Sequence, residues 1–141
     1  MQLIVKKLSD SAKIPSYAHV DDAGLDLHSV VNVTIHPGER YAIPCGIAVS
    51  IEPGHVGLVH PRSGLAINHG VTVLNAPGTI DAGYRGEIKV ILHNASDRLY
   101  KVKVGDRIAQ MVIQRVESAD IIEGDLDDSE RSTEGFGSTG V

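Results

Sequence analysis

The chain is short of aromatic residues and of cysteine. Its 141 residues contain no tryptophan, one phenylalanine, four tyrosines and one cysteine. The single cysteine, Cys45, excludes an internal disulfide, so a reducing cytoplasm is the expected location. Cys45 has no identifiable base beside it, which predicts a buried structural thiol rather than a nucleophile. The single phenylalanine, Phe136, lies in a glycine-rich C-terminal stretch, and that position calls for an explanation.

Long hydrophobic runs and an excess of basic charge are also missing. No apolar run approaches the ~20 residues that a membrane-spanning helix needs, so we expect no membrane partner. The formal net charge is −5 at pH 7, whereas nucleic-acid binders usually carry a basic footprint, so we expect no nucleic-acid partner. A small anionic ligand is compatible with this charge, because a few arginines in a cleft can override it locally.

What the sequence does contain is a series of short apolar runs separated by Gly, Pro, Asn or Asp. Turn signals recur roughly every ten residues, which is typical of an all-β sandwich, barrel or jelly roll. Pro-Gly pairs at Pro37, Pro53 and Pro77 predict tight turns. One short helix is predicted over residues 63–68, with Ser63 as its N-cap.

The C-terminal part of the sequence differs in composition from the rest. Residues 116–130 contain seven acidic residues and no basic one, which is most often a solvated edge or linker. Few apolar residues follow, so mobility without a ligand is expected. We therefore predict one β domain over residues 1–125 and a mobile tail over residues 126–141.

Three polar stretches interrupt the β pattern with candidate binding residues. In PRSGLA (61–66), Arg62 and Ser63 add donors to a predicted helix start, which attracts anions; a capped turn with a surface arginine is the plainer interpretation. In AGLDLHS (23–29), Asp26 points away from the face that takes its two leucine neighbours, as a surface residue or as a carboxylate near a metal. In GDRIAQMVI (105–113), Gln110 lies inside an apolar strand and needs hydrogen-bond partners in the protein or in a ligand.

A fourth stretch, NAPGTIDAGYRGEIKV (75–90), is richer in candidate groups. Asp81 has Ile80 and Ala82 as neighbours, which could hold its carboxylate in a partly dry cleft as a general base. An aspartate that caps a β-turn is an equally common arrangement. Sharp turns around Asp81 and Tyr84 are predicted at three glycines: Gly78, Gly83 and Gly86.

The tail RSTEGFGSTG (131–140) is glycine-rich but does not fit the common phosphate-binding motifs. It has no lysine, and only one residue follows it, whereas those motifs need a following helix. A disordered end is one interpretation. The other is a lid that closes on a ligand, with Arg131 for charge, Phe136 for stacking, and Ser138 and Thr139 for hydrogen bonds.

Taken together in chain order, the five stretches resemble the five motifs of the trimeric dUTPase family, enzymes that hydrolyse dUTP to dUMP and pyrophosphate. AGLDLHS resembles the first motif, PRSGLA the second, GTIDAGYRGEIKV the third, GDRIAQMVI the fourth and RSTEGFGSTG the fifth. The resemblance covers essentially the whole chain, and the fifth stretch departs from the family pattern at Ser132 and Glu134, where glycine is common. It implies an all-β, jelly-roll-like (β-clip) dUTPase fold with one short helix and a flexible C-terminal tail. It also implies a homotrimer with three shared sites, each built from the third motif of one subunit, the first, second and fourth of another, and the tail of the third.

The resemblance further implies a mechanism, an in-line attack of water on the α-phosphorus with Asp81 as the base. Mg²⁺ is the implied cofactor, held mainly by the triphosphate and, through water, by Asp26. The residues implied to bind substrate are Arg62, Ser63, Gly64, Asn75, Gly78, Thr79, Ile80, Asp81, Tyr84, Lys89, Gln110, Arg131, Phe136, Gly137, Ser138 and Thr139.

Roles within this set follow the family. The phosphates would be held by Arg62, Ser63 and Gln110, and the γ-phosphate by Arg131. Uracil would be read by Asn75 and by main-chain groups of the 75–84 hairpin, with Phe136 stacked on the ring. The aromatic ring of Tyr84 would pack on the deoxyribose and leave no room for a 2′-hydroxyl.

Two alternatives share this fold. A dCTP deaminase would need a glutamate on the strand after the third motif, where Ile91 stands, and that family lacks the GFGSTG lid. A non-catalytic regulator that binds a protein partner is the other alternative. Loss of catalysis usually removes the base or the lid, and this sequence keeps both.

Overall fold

The computed structural model describes residues 1–130 and 132–135. In this part of the chain, eleven strands and one helix form. Their bounds are β1 Ile4–Lys7, β2 Gly24–His28, β3 Val33–Ile35, β4 Arg40–Pro44, β5 Ile47–Ser50, β6 His55–His60, α1 Ser63–His69, β7 Val71–Val73, β8 Gly78–Asp81, β9 Lys89–Asn94, β10 Tyr100–Val102 and β11 Arg107–Arg115. The predicted all-β class with one short helix is confirmed.

The strands pair in four antiparallel sheets. The largest has the order β2-β11-β6-β8, and a three-stranded sheet has the order β4-β9-β7. Two smaller ladders join β1 to β5 and β10 to β3. Because β11 runs between β2 and β6, the last strand of the chain joins segments that are distant in sequence.

The core is aliphatic. Strand β2 shows the principle, because Leu25 and Leu27 are buried while Asp26 between them is half-buried on the opposite face. Leu27, Leu92 and Met111 are exposed by 1% or less, and burial of such a side chain contributes about 1.5–3 kcal/mol. The scarcity of aromatic residues therefore does not prevent a dense core.

Two details differ from the sequence-based expectations. The predicted N-cap at Ser63 is wrong, since Ser63 is already helical and Arg62, with φ −98° and ψ 129°, occupies the cap position. The Pro77-Gly78 pair is not a tight turn: Gly78 begins β8, a strand that the glycine-rich composition concealed, and the Ala76–Pro77 peptide bond is cis. The other two Pro-Gly pairs are turns, with φ of +79° at Gly38 and +80° at Gly54.

Beyond β11 the chain leaves the sheets. Residues 116–130 carry no helix or strand and are exposed, including their apolar members Ile121, Ile122 and Leu126. The boundary at residue 125 and the mobility of the tail stay predictions. None of the helical structure in the described residues has the length and hydropathy of a membrane span.

Candidate active site

The strand order brings three of the polar stretches together. On β11, Gln110 is paired with Asp26 of β2 on one side and with His60 of β6 on the other. Residues 61–64 follow His60 directly, so Arg62 and Ser63 emerge beside the same strand ends. Segments separated by some 80 residues in sequence thus form one site.

A cavity of about 640 Å³ opens at this convergence, a volume within the usual range of small-molecule sites. Its lining is mostly polar and mixes both charge signs. The side chains that can donate to an anion are those of Arg62, Ser63, Arg107 and Gln110, and the carboxylates of the lining are those of Asp22 and Asp26.

Asp26 is the centre of an ion-pair network in this cavity. Its Oδ1 lies 3.6 Å from Arg62 Nε and its Oδ2 lies 3.2 Å from Arg107 Nη1, while its side chain is only 16% exposed. The guanidinium of Arg62 also donates from Nη1 to the main-chain oxygen of Arg107, at 3.2 Å. Arg62 is therefore held from two sides before any ligand arrives.

Arg107 is a site residue that the sequence-based reasoning missed. Residues three apart on a regular strand face opposite sides, so regular alternation along β11 would put Arg107 and Gln110 on different faces. The ladder between β11 and β2 shifts register between Arg107 and Ala109. That β-bulge turns the start of the strand and places Arg107 on the cavity side.

Gln110 has the hydrogen-bond partner that its position requires. Its Nε2 donates to the main-chain oxygen of Pro61 at 3.0 Å, so the partner is in the protein. Its amide lies against Gly24, where a Cβ atom would collide with Oε1 and lie 3.0 Å from Cδ. A side chain at position 24 would therefore displace the Gln110 amide from the place it occupies.

The stretch of residues 75–90 contributes no residue to this cavity. Strand β8 pairs with β6 so that Asp81 is opposite Val56, four residues from His60, or about 13 Å at ~3.3 Å per residue. The partly dry cleft around Asp81 stays a prediction. The side chain of Ile80 is buried in the core, so only its main chain can face a ligand, and Asp81 is exposed.

The remaining predicted residues divide between two locations. Gly64 lines the cavity with Ser63, and no side chain caps the start of α1 among the described residues. The side chains of Asn75, Thr79, Tyr84 and Lys89 are exposed outside it. The amide of Asn75 lies close to Gly78, where a Cβ atom would be 3.3 Å from Nδ2.

The predicted lid falls largely outside the described residues: Arg131, Phe136, Gly137, Ser138 and Thr139 all do. Ser132 is described, and its φ of +48° is in the left-handed region, which favours glycine over residues with a Cβ atom. This is one of the two positions at which the stretch departs from the glycine of the family pattern.

The residues that line the cavity suit a magnesium ion that enters with a triphosphate better than a metal ion that the protein alone would hold. The described part of the chain contains no group of three or more His, Cys, Asp or Glu residues that could hold a metal. Both carboxylate oxygens of Asp26 are already ion-paired. Mg²⁺ is commonly bound by one or two carboxylates together with substrate phosphates and waters, and Asp26 can meet that requirement through water.

Burial shifts the pKa of three side chains among the described residues: it lowers that of His28 and raises those of Cys45 and Tyr100. Burial, and then the charge of Lys13, lowers the pKa of His28, whose buried Nδ1 has no hydrogen-bond partner among the described residues. Burial raises the pKa of the Cys45 thiol to about 12, with a contribution from the charge of Glu87. Cys45 is 2% exposed, which confirms the predicted structural thiol.

The fold and the cavity define a small antiparallel β protein with two arginines and two aspartates in one polar cavity. Comparison with known proteins is more specific: the chain belongs to the dUTPase family, whose sequence profile matches residues 10–140. It is 54% identical over 141 residues to a deoxyuridine 5′-triphosphate nucleotidohydrolase of Nautilia profundicola, covering 99% of each chain. A protein of the same name from Helicobacter pylori is 51% identical over 142 residues, covering 100% of this chain and 98% of the other.

Solved structures confirm the predicted fold. The dUTPase of Staphylococcus bacteriophage 80alpha, solved with dUpNHpp, superposes with a TM-score of 0.91 at 32% identity over 99% of each chain. A dUTPase from phage phi11 of S. aureus, described as revealing the coordination of a structural Mg(II) ion, has a TM-score of 0.84 at 28% identity. That match covers 92% of this chain and 100% of the phage chain.

Proposed function

We propose that this chain is a dUTP diphosphatase, which hydrolyses dUTP to dUMP and pyrophosphate. Such an enzyme keeps uracil out of DNA and supplies dUMP for dTMP synthesis. The observation that carries the proposal is the convergence of Arg62, Ser63 and Gln110 around Asp26 in one cavity, in a chain that belongs to the dUTPase family. The relatives named above, one of them solved with dUpNHpp, support the same substrate.

The cavity would bind the triphosphate. The guanidinium of Arg62 and the hydroxyl of Ser63 are donors to phosphate oxygens, and the amide of Gln110 is placed beside them by Pro61 and Gly24. Asp26 holds Arg62 in position and would hold Mg²⁺ through water. When it is bound with the substrate, Mg²⁺ offsets the negative charge of the phosphates.

The complete site needs more than one subunit. Within one chain Asp81 lies beside Val56, about 13 Å along β6 from the strand end that carries the cavity. Asp81 accordingly does not line the cavity that contains Arg62. This separation supports the homotrimer with shared sites, in which Asp81 and the 75–84 hairpin of one subunit meet the cavity of another.

In this arrangement Asp81 acts as the general base. It takes a proton from the attacking water as oxygen bonds to the α-phosphorus, and the bond to the bridging oxygen breaks on the opposite side. Pyrophosphate leaves with the electron pair of that bond. Asn75 and the main chain of residues 78–80 read uracil, Tyr84 packs on the deoxyribose, and Lys89 approaches the substrate from β9.

The tail closes the site. Arg131 would hold the γ-phosphate and Phe136 would stack on uracil, with Gly137, Ser138 and Thr139 completing the lid over residues 126–141. Ordering ten tail residues costs on the order of 10 kcal/mol of backbone entropy, so the lid closes on a ligand that offers both charge and a stacking face.

The cytoplasm stays the predicted location, because dUTP and the reduced Cys45 thiol both belong there.

The deaminase alternative is disfavoured by the strand after the third motif. Ile91 is half-buried in β9, and its hydrocarbon side chain cannot transfer protons. The match to the dUTPase profile over residues 10–140 points the same way. No observation on the described residues favours a purely regulatory role.

An assay with four different nucleotides tests the proposal directly. The protein is incubated with Mg²⁺ and dUTP, dTTP, dCTP or UTP in separate reactions, and pyrophosphate, nucleoside monophosphate and ammonia are measured. We expect pyrophosphate and dUMP from dUTP alone, and no product when EDTA replaces Mg²⁺. Absence of product from dUTP refutes the proposal, and ammonia from dCTP identifies the deaminase instead.

A further inference from the structure

Tyr84 occupies a defined position on its own turn. Its hydroxyl donates to the main-chain oxygen of Glu87 at 3.1 Å, and the hydroxyl end of the ring lies directly against Gly86. A Cβ atom at residue 86 would lie 2.5 Å from Cζ and 3.0 Å from Cε2 of Tyr84, and closer still to its hydroxyl oxygen. Since Cβ atoms essentially never approach another heavy atom within 3.0 Å, any side chain at residue 86 must displace the ring.

The need for glycine at residue 86 is steric and not conformational. Gly86 is absent from the glycines with positive φ in the described chain, so its backbone is compatible with alanine. Gly83, three residues earlier in the same turn, also has no positive φ, and a Cβ atom there would meet no described heavy atom within 4 Å. A turn does form at residues 82–83, closed by the N–H of Tyr84 on the oxygen of Asp81, but neither glycine is needed there for a positive φ. Gly86 therefore has a different task from Gly83.

The surface that receives Tyr84 is anchored to the rest of the fold. The carboxylate of Glu87 accepts the N–H of Gly46 at 3.0 Å. The next residue, Ile88, donates its N–H to Ile47 at 2.8 Å and accepts the N–H of Cys45 at 3.0 Å. The carbonyl that binds the Tyr84 hydroxyl is thus fixed against the start of β5.

Tyr84 is also held at its main chain, because its N–H donates to the oxygen of Asp81 at 3.0 Å. Its position is therefore fixed relative to the proposed base at one end and relative to Gly86 and Glu87 at the other. Nearly half of the side chain, 46%, stays exposed. This surface is available to a ligand, and the hydroxyl end of the ring is confined by Gly86 and by the Glu87 carbonyl.

We propose that Gly86 is a specificity-determining positioning residue, which lets Tyr84 lie on the backbone as a fixed wall against a 2′-hydroxyl. The inference rests on the proposed function, in which Tyr84 contacts the deoxyribose. A ring displaced from Gly86 loses the Glu87 hydrogen bond and becomes free to rotate. It then yields to a ribose, and it binds deoxyribose less well because it must be ordered first.

The test compares dUTP and UTP for the full-length protein and four variants. The variants are Gly86→Ala, Gly83→Ala as the matched control, Tyr84→Ala, and the double variant Gly86→Ala/Tyr84→Ala. For each, kcat/KM is measured for dUTP, and UTP is measured both as a substrate and as a competitive inhibitor of dUTP hydrolysis.

We expect Gly86→Ala to lower the preference for dUTP over UTP by at least about tenfold, the scale of one steric or hydrogen-bond mismatch in a pocket. Gly83→Ala should keep the preference of the parent protein. The double variant should match Tyr84→Ala, because without the ring the added methyl group has nothing to displace. A change confined to stability would not alter the ratio between two substrates.

The outcomes separate this inference from the proposed function. If Tyr84→Ala lowers the preference and Gly86→Ala does not, the role of Gly86 is wrong while the enzyme and its sugar-reading tyrosine stand. If neither variant changes the preference, the assignment of Tyr84 is wrong and the role of Gly86 falls with it. Absence of dUTP hydrolysis in the parent protein contradicts the proposed function itself.

Folding provides a second readout. If Gly86→Ala lowers the melting temperature, the double variant should restore it, because the clash involves only the Tyr84 ring. Failure of the double variant to recover would show that the methyl group meets something other than Tyr84. Tyr84→Phe removes the Glu87 hydrogen bond without adding a methyl group, and it should reduce the preference less than Gly86→Ala does.

Discussion

Replacement of Asp81 by asparagine separates chemistry from folding, because the structure predicts very different sizes for the two effects. The Asp81 side chain is exposed, and no side chain in the described part of the chain forms a hydrogen bond or ion pair with its carboxylate. The free energy of unfolding should therefore change by no more than about 0.5 kcal/mol. Loss of a general base lowers the rate by about 10²–10⁴-fold, which raises the barrier by roughly 2.7–5.4 kcal/mol.

The assay is pyrophosphate release from saturating dUTP, together with urea unfolding of the same samples. The matched control is Asp97→Asn, which removes the same charge from an exposed loop residue and should keep both the rate and the stability. An Asp81→Asn protein that turns over dUTP within a few-fold of the parent would refute the base assignment. A variant that loses activity together with several kcal/mol of stability would refute the claim that this carboxylate has no structural task.

Further predictions concern the cavity, the core, the buried thiol and the tail. Gly24→Ala should displace the Gln110 amide and raise the KM for dUTP about tenfold, the cost of one lost hydrogen bond. The control Gly38→Ala, at a turn open to solvent, should leave the KM unchanged, and an unchanged KM for Gly24→Ala would contradict the placement of Gln110. Asn94 is 0% exposed, and its amide forms hydrogen bonds at 2.7–3.0 Å with three main-chain groups and one hydroxyl. Asn94→Ala should therefore lower the free energy of unfolding in urea by about 2–4 kcal/mol. A loss of less than about 1 kcal/mol would show that the hydrogen-bond partners of Asn94 rearrange and find other partners. Cys45, with its pKa raised from 9.0 to about 12, should resist alkylation at pH 9 in the folded protein and react in denaturant, and rapid alkylation of the native protein would contradict this burial. Because the unfolded chain releases the thiol proton at lower pH than the folded chain, the protonated thiol contributes fully to stability below pH 9, and this contribution falls as pH rises toward 12. A chain that ends at residue 130 should fold and assemble but lose nearly all turnover, and Phe136→Ala should weaken dUpNHpp binding by roughly 1–3 kcal/mol; normal activity of the truncated chain would exclude the lid.

Several properties of individual residues could be predicted from sequence patterns only a few residues long. The alternation around Asp26 correctly placed its side chain opposite the buried leucines, because side chains alternate along any strand irrespective of its partners. The need of Gln110 for a partner, and the burial of Cys45, likewise follow from residue chemistry and near neighbours. These properties are encoded within a few residues, so a sequence displays them.

The sequence by itself thus determined the all-β class, the family, and the residue types from which a site could be built. The tertiary structure decided which of them meet. The pairing of β11 with both β2 and β6 brings Asp26, Arg62 and Gln110 into one cavity, and the bulge after Arg107 adds a guanidinium that a regular strand would direct elsewhere. The pairing of β8 with β6 puts Asp81 outside that cavity. Glycines at 24 and 86 are needed for space beside Gln110 and Tyr84. Register, bulges and close approach are relations between distant segments, and only the packed chain determines them.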